Sequence, residues 1–464
     1  MNEKVKYPTK KYFHIDRKIK YSDKIKSHVE SPDWVSRHGF LPFLKFTKTS
    51  TKFKGHNKQV KRKKKERPIM YASHIDSFIY MHYGEKISKY YNKWTNCHGI
   101  DDCSIAYRNN KPGESNIQFA AEVIRTIIKY KYCYIFVSDF KKFFDSLNHK
   151  YLKQCLKEVL DVKTLTKDYY QVLKSLTHSS YIEVNELKNW LKERNIDFKA
   201  QQCYFKDIKE FREFAKTSGL VHRYSECECE DTSIDHKIMG IPQGSAMSGL
   251  LANIYMIHAD EAINKIVKQH HGLYRRYSDD FIVVIPHCKC TSDEFETIRQ
   301  QIEKKLNDCH VELQHDKTER YSYDNGTIRY IDSNNDNNKN PALDYLGFRF
   351  DGKTVSARQR SVYKFYRKAD RCIYQAQKHS IRNNSIKLSK ISKIKQLFTD
   401  KSKNKHMPYG NFIDYMKRAQ REFETIEGIE CKIMEQIKHR GKIMRKFKRS
   451  RKIVSKLHIG TLEY

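Results

Sequence analysis

The chain has 464 residues and a formal net charge of +35, and 39% of its residues are hydrophobic. These values exclude a disordered chain and allow two or three domains with a sizeable core. No apolar run is long enough to span a membrane, the N-terminal MNEKVKYPTKKYF has no apolar signal core, and the 12 cysteines are scattered, so a soluble, cytoplasmic setting is expected.

The charge is unevenly spread. Residues 1–68 hold 21 Lys and Arg against 6 Asp and Glu, and residues 353–464 hold 30 against 9, while the centre is almost neutral. Basic flanks of this kind suit a polyphosphate backbone, and 31 Tyr and 24 Phe offer rings for base stacking. A solvated surface and a patch for anionic lipid are the competing readings; nucleic acid is the expected partner, with no membrane.

In chain order, Lys61–Lys65 (KRKKK) ends a basic, poorly periodic leader. After Arg67-Pro68-Ile69 the pattern turns helical through Ile75, Phe78, Ile79, His82 and Tyr83. Ile117 to Tyr130 reads as an amphipathic helix, Tyr132 to Val137 as a strand that delivers Asp139, and Tyr151 to Leu160 as a helix. Residues 163–233 are polar, mostly helical, and look like an insertion. Gly240 to Gly249 is a Gly- and Pro-punctuated loop leading into a helix, Leu250 to Val267. Tyr274 to Ile285 reads as a hairpin with Asp279 and Asp280 at its turn. A helix at Phe295 to Leu306, short strands at Val311 to Leu313 and Tyr345 to Phe350, and a basic helical remainder complete an α+β pattern.

Three acids thus stand at strand ends: Asp139, Asp279 and Asp280. An uncompensated buried acid pair is costly. Two Mg²⁺ ions roughly 3.5–4 Å apart, clamping an in-line phosphoryl displacement, account for all three acids. A polar hairpin turn and an ordinary strand terminator are the alternative.

The surrounding motifs decide between these readings. Tyr277-Ser278-Asp279-Asp280 resembles the Y-x-D-D box of reverse transcriptases, and Val137-Ser138-Asp139-Phe140-Lys141-Lys142-Phe143-Phe144-Asp145 resembles their first catalytic motif. Gly240-Ile241-Pro242-Gln243-Gly244-Ser245 resembles their P-Q-G loop, Gln314-His315-Asp316-Lys317-Thr318 the later motif with a lysine near the triphosphate, and Tyr345-Leu346-Gly347-Phe348 the primer grip. All five occur in family order, across roughly residues 60–350.

The resemblance implies a right-hand polymerase with fingers, a palm carrying an antiparallel sheet, and a helical thumb, with basic N- and C-terminal flanks. It divides the chain into a basic N-terminal segment (1–66), fingers (67–130), a palm (131–350) containing the insertion, and a thumb with an RNA-binding extension (351–464). Asp139, Asp279, Asp280 and the carbonyl of Phe140 would hold two Mg²⁺, or Mn²⁺. Phe144 would lie under the incoming sugar and select dNTPs. Gln243 and Gly244 would line the nucleotide pocket, Lys65 and Arg67 would reach the triphosphate, and Lys317 would protonate the leaving pyrophosphate. The implied partners are an RNA template and a DNA product.

The run Ala106-Tyr107-Arg108, with Gly113-Glu114-Ser115-Asn116-Ile117 after it, resembles the stand-alone bacterial enzymes of the phage-defence and abortive-infection groups, which use a partner noncoding RNA. The retron N-A-x-x-H is absent, with Asn116-Ile117-Gln118-Phe119-Ala120 in its place, and so is V-T-G, with Val355-Ser356-Ala357 nearest. A retron-type enzyme, untemplated or protein-primed synthesis, and a non-catalytic RNA-binding scaffold are the alternatives. A homo-oligomer is also allowed. Cys227, Cys229, Cys288 and Cys290 form two C-x-C pairs, for which free thiols are expected over a zinc site.

Overall fold

The computed structural model describes residues 6–8, 12, 14–54, 61–196, 204–226, 235, 237–331, 341–383, 385, 387–399 and 410–459; side chains of residues 50–54, 61–65 and 456–459 are outside the description.

A five-stranded antiparallel sheet forms the centre, in the spatial order Thr327–Tyr330, Glu319–Asp324, Tyr132–Asp139, Asp280–Pro286, Leu273–Tyr277. Residues of Asp280–Pro286 alternate between its two faces. Phe281, Val283 and Ile285 join Phe136 in one core, under the helices Ser248–Tyr255, Ile257–Gln269 and Ser292–Asp308. Ile282 and Val284 join Cys133 and Ile135 in a second core, under the helix Asn116–Tyr130. A strand covered on both faces is apolar throughout, which is why the chain reads Phe-Ile-Val-Val-Ile here. The helix Asn116–Tyr130 starts at a capping box in which Ser115 and Gln118 satisfy each other's backbone N–H groups.

The second core continues into the C-terminal third. There the helices Gln359–Arg382, Ile391–Phe398, Phe412–Phe423 and Gly441–Ile459 pack beside a small sheet of Leu343–Tyr345, Phe348–Phe350, Thr354–Ala357 and Glu430–Cys431.

At the other end, Phe43–Thr47 pairs antiparallel with Pro68–Tyr71 and parallel with Ser180–Glu183, and the last of these pairs with His222–Arg223. The basic leader and the 163–233 stretch therefore share one sheet with the segment after Pro68. Leu44, Ile182, Leu187, Leu191, Phe205, Phe211 and Phe214 form its own small core. The leader also holds helices Asp23–Glu30 and Pro32–Arg37, and Lys61–Lys65 is a strand paired with Ser50–Lys54.

Three expected elements differ from what is observed. The helix foreseen at Leu250 to Val267 is two, interrupted at Met256, whose N–H bonds the Asn253 carbonyl three residues back and tightens the turn. Tyr345 to Phe350 is a hairpin, because Leu346 (φ 45°) and Gly347 (φ 95°) reverse the chain. Val311 to Leu313 contributes a single bridge, Leu313 to Phe140. The helical pattern through Ile75, Phe78, Ile79, His82 and Tyr83 is the helix His74–Cys97, and Pro68–Tyr71 before it is a strand.

Candidate active site

Asp139 ends the middle strand of the central sheet, and Asp280 starts its neighbour. The two are register partners across the antiparallel ladder. Tyr277 and Asp280 pair across the next ladder, so Ser278 and Asp279 form a two-residue turn. The Phe140 N–H donates to the Asp279 carbonyl at 3.0 Å, which ties the turn to the Asp139 strand. All three carboxylates are half-buried at one end of the sheet.

Ser278 has φ 63°, in the left-handed region that glycine usually fills. A buried guanidinium holds it there. Arg276 is fully buried; its Nη1 donates to the Ser278 carbonyl (3.0 Å) and to Asn253 Oδ1 (3.2 Å). Its Nε and Nη2 make a two-pronged pair with Asp260 (2.8 and 2.6 Å), and Nη2 also meets Ser104 Oγ (3.1 Å). Tyr274 donates to the same Asp260 carboxylate at 2.7 Å. Every guanidinium nitrogen is satisfied, as a buried charge requires. Asp260 beside it raises the Arg276 pKa further. The sequence reading missed this residue. Its signal was alternation: Tyr274 and Arg276 share the inward face of one strand, where an arginine needs a buried acid.

Lys317 is ion-paired with Asp139. It arrives there because Glu312 to Gln314 runs beside the Asp139 segment: Lys141 N–H donates to the Glu312 carbonyl (2.9 Å), and Gln314 N–H to the Asp139 carbonyl (2.8 Å). Phe143 is buried in the core and Phe144 is half-buried at its edge, the two rings edge-to-face at 5.7 Å. The Phe144 carbonyl accepts from Ile241 N–H at 2.9 Å, which brings the Pro242-Gln243-Gly244 loop alongside. Gln243 is exposed, and its carbonyl accepts from Met70 N–H at 2.9 Å. Gly244 has φ 121°, and a Cβ there would lie 2.5 Å from the Met70 carbonyl oxygen, so only glycine fits. Arg67 is exposed beside Lys48, with which it exchanges two backbone hydrogen bonds. The Lys65 side chain lies outside the described residues.

In the Leu346-Gly347 turn, Asn116 Nδ2 donates to the Leu346 carbonyl (2.8 Å) and to the Tyr415 hydroxyl (2.9 Å), and Arg358 N–H donates to the Gly347 carbonyl (2.8 Å). Tyr345 and Phe348 are buried on either side. Burial pushes the Tyr345 phenol far up. The hairpin is linked to the acid-bearing turn through the helix Asn116–Tyr130, whose Asn116 bonds Leu346 and whose Phe119 ring centre lies 6.4 Å from that of Tyr277.

Carboxylate and carbonyl oxygens are the donor set that Mg²⁺ or Mn²⁺ takes, so the residues present fit the expected ions. Among the described residues no three His, Cys, Asp or Glu side chains converge into a ready metal cage. The acids flank the site, with the Lys317 cation against Asp139. Cys288 and Cys290 are free thiols, while Cys227 and Cys229 lie outside the described residues.

A central antiparallel sheet carrying paired acids at one end, together with a smaller sheet that includes the leader and a helical C-terminal third, has the architecture of a right-hand polymerase fold. Residues 204–350 match the reverse transcriptase (RNA-dependent DNA polymerase) family model, a span that holds Gln243, Asp279, Asp280, Lys317 and Phe348 and begins after Asp139. The match is to about a third of the chain, and over that span the chain is similar to reverse transcriptase domains. Among solved structures, an apo telomerase from Candida tropicalis, truncated from its C-terminal domain, is similar at 13% identity with a TM-score of 0.39, over 67% of this chain and 55% of that one. The chain spans little more than half of that relative. No curated protein sequence matches. No helix among the described residues is long and apolar enough to cross a membrane.

Proposed function

We propose that this protein copies a partner noncoding RNA into DNA in the cytoplasm of a bacterium, as part of antiphage defence. The observation that carries the polymerase reading is the register pairing of Asp139 with Asp280 beside the Asp279 turn. In this reading Asp139, Asp279, Asp280 and the Phe140 carbonyl hold two Mg²⁺. When bound, the ions supply charge stabilisation for the attacking and leaving oxygens.

The chain's own residues then do the rest. Arg67, with Lys65, draws in the triphosphate. Gln243 and Gly244 border the nucleotide, and the half-buried Phe144 ring leaves no room for a ribose 2′-hydroxyl. Lys317, held beside Asp139, is placed to give a proton to the leaving pyrophosphate. The turn at Leu346 and Gly347 steadies the primer end. The basic flanks at residues 1–68 and 353–464 bind the RNA backbone. The defence role is supported by the likeness of Ala106-Tyr107-Arg108 and its following run to that bacterial group.

The test is to purify the protein with its nucleic acids, and the Asp279→Ala/Asp280→Ala variant likewise, and to sequence both. One RNA with both proteins, and complementary DNA only with the wild type, is expected. DNA that matches no bound RNA would overturn templated copying in favour of untemplated or protein-primed synthesis. DNA joined covalently to RNA would favour a retron-type reaction. Full phage protection by the double variant would establish the scaffold reading instead.

A further inference from the structure

Three helices, His74–Cys97, His149–Val159 and Lys167–Thr177, line the side of the protein behind the acids. Which side they occupy follows from the sheet. Val137 and Ile282 stand two residues along from Asp139 and Asp280, hence on the same face, and both join the second core. The three helices bury Ile79, Leu152 and Val172 in the first core, on the opposite face. They are therefore turned away from whatever lies over the acids.

The outer surface of these helices is aromatic and basic. Tyr90 is exposed by 47% and Tyr170 by 44%. One surface runs between them. Lys86, one turn before Tyr90, holds its ammonium over the Tyr83 ring at 5.5 Å. The Tyr83 ring meets that of Tyr169 edge-to-face at 5.0 Å. Next to it, Tyr170 carries the Lys153 ammonium over its ring at 4.8 Å. Lys89 and Lys93 share a helix face with Lys86 and Tyr90, and Lys167 and Lys174 flank Tyr170 in the same way. The acids of these helices face elsewhere. Glu85 pairs with Lys6 (3.1 Å) and Glu158 with His258 (3.0 Å), while the buried Asp76 and Asp168 bond His38 (2.7 Å) and the Tyr83 hydroxyl (2.6 Å). None of the six lysines has an ion pair with an acid among the described residues. Positive charge is thus concentrated on one face, within a stretch of sequence that is almost neutral as a whole.

We propose that this rear face binds an unpaired stretch of the partner RNA, outside the cleft where RNA is copied. This rests on the reading of an RNA partner above. Lysines act as point charges for the phosphate chain, and open tyrosine rings receive bases that no complementary strand covers. A duplex presents its bases already paired and stacked. An acidic peptide would gain from the lysines and has no base to set on the rings.

The test uses the full-length protein with its cleft saturated by an RNA template annealed to a DNA primer, and labelled poly(U) as the probe. Primer extension by the wild type checks the copying reading separately, whatever poly(U) does. Poly(U) should bind the saturated wild type. Tyr90→Ala/Tyr170→Ala should weaken that binding at least about 5-fold, with the thermal transition and primer extension unchanged. Tyr90→Phe/Tyr170→Phe should keep it, because the ring and not the hydroxyl stacks. Lys153→Gln/Lys167→Gln should lower the slope of log affinity against log salt by about 0.7 for each lysine. Poly(U) that fails to bind the saturated protein, or that binds all the variants alike, would overturn the proposal and leave the copying reading intact. So would an equal loss for poly(glutamate), which would assign the face to an acidic protein.

Discussion

Two hairpin turns flank the first turns of the helix Asn116–Tyr130 through Phe119 and Asn116, and they are held in different ways. The turn at Ser278 and Asp279 carries one of the carboxylates proposed to hold metal, on a backbone strained at a serine (φ 63°). A buried ion pair, Arg276 with Asp260, holds that backbone from beneath. The turn at Leu346 and Gly347 carries no charge. One of its two positive-φ positions is a glycine, and neutral groups tie it down: the Asn116 amide, the Tyr415 hydroxyl and the Arg358 backbone. Where a carboxylate must sit at a set height, the fold uses a stiff, costly anchor. At the second turn, where Leu346 is also at positive φ, it uses only neutral, replaceable hydrogen bonds.

Breaking the first turn at its chemistry has the largest expected effect. Asp279→Asn keeps the shape and removes one charge, so single-nucleotide extension should fall about 1,000-fold or more while RNA binding is kept. Next is its anchor. Arg276→Met leaves Asp260 as a buried, unpaired carboxylate, and breaking such a pair costs about 3–5 kcal/mol, measurable in a denaturant titration. Arg276→Met with Asp260→Leu should recover much of that stability, because an apolar pair replaces a buried ionic one. If the double variant is as unstable as the single one, the network's role as anchor is wrong.

The second turn should yield less. Gly347→Ala has open space around its Cβ, with Asn116 Nδ2 at 3.9 Å, so its cost is backbone strain alone, about 1–3 kcal/mol. Asn116→Ala removes both hydrogen bonds of the amide at about 1 kcal/mol each, and should raise the KM for primer–template with little change in that for dNTP. Smallest is Ser278→Gly. It relieves strain in the folded turn and loosens the unfolded chain, so the net change in stability should stay below about 1 kcal/mol. A loss as large as that of Arg276→Met would show that the serine side chain, and not the guanidinium, supports the turn.

Much of the central sheet and of the placement of its acids was legible before the fold was seen, because the motifs are local. Asp279 and Asp280 are adjacent, the strand after them announces its two-sided burial in five apolar residues, and Gln243 and Gly244 sit in one short loop. The Tyr345 to Phe350 segment was misread because Leu346 gives no hint of a positive φ; only the pairing of Tyr345 with Phe348 reveals the reversal. The leader gave no periodicity because Phe43–Thr47 is half-covered, with its later residues exposed. Its role appears only when Ser180–Glu183, far along the chain, lies down beside it.

By itself, the sequence determined the acids, their order and the strands that carry them, since hydrophobic alternation and turn residues act over a few neighbours. Only the tertiary structure decided what holds those acids in place. Arg276 is a surface residue by type and becomes an anchor because a helix brings Asp260 against it. Asn116 becomes the clasp of a turn more than two hundred residues away. Each of these depends on contacts between distant segments, and local propensity carries no information about which segments will meet.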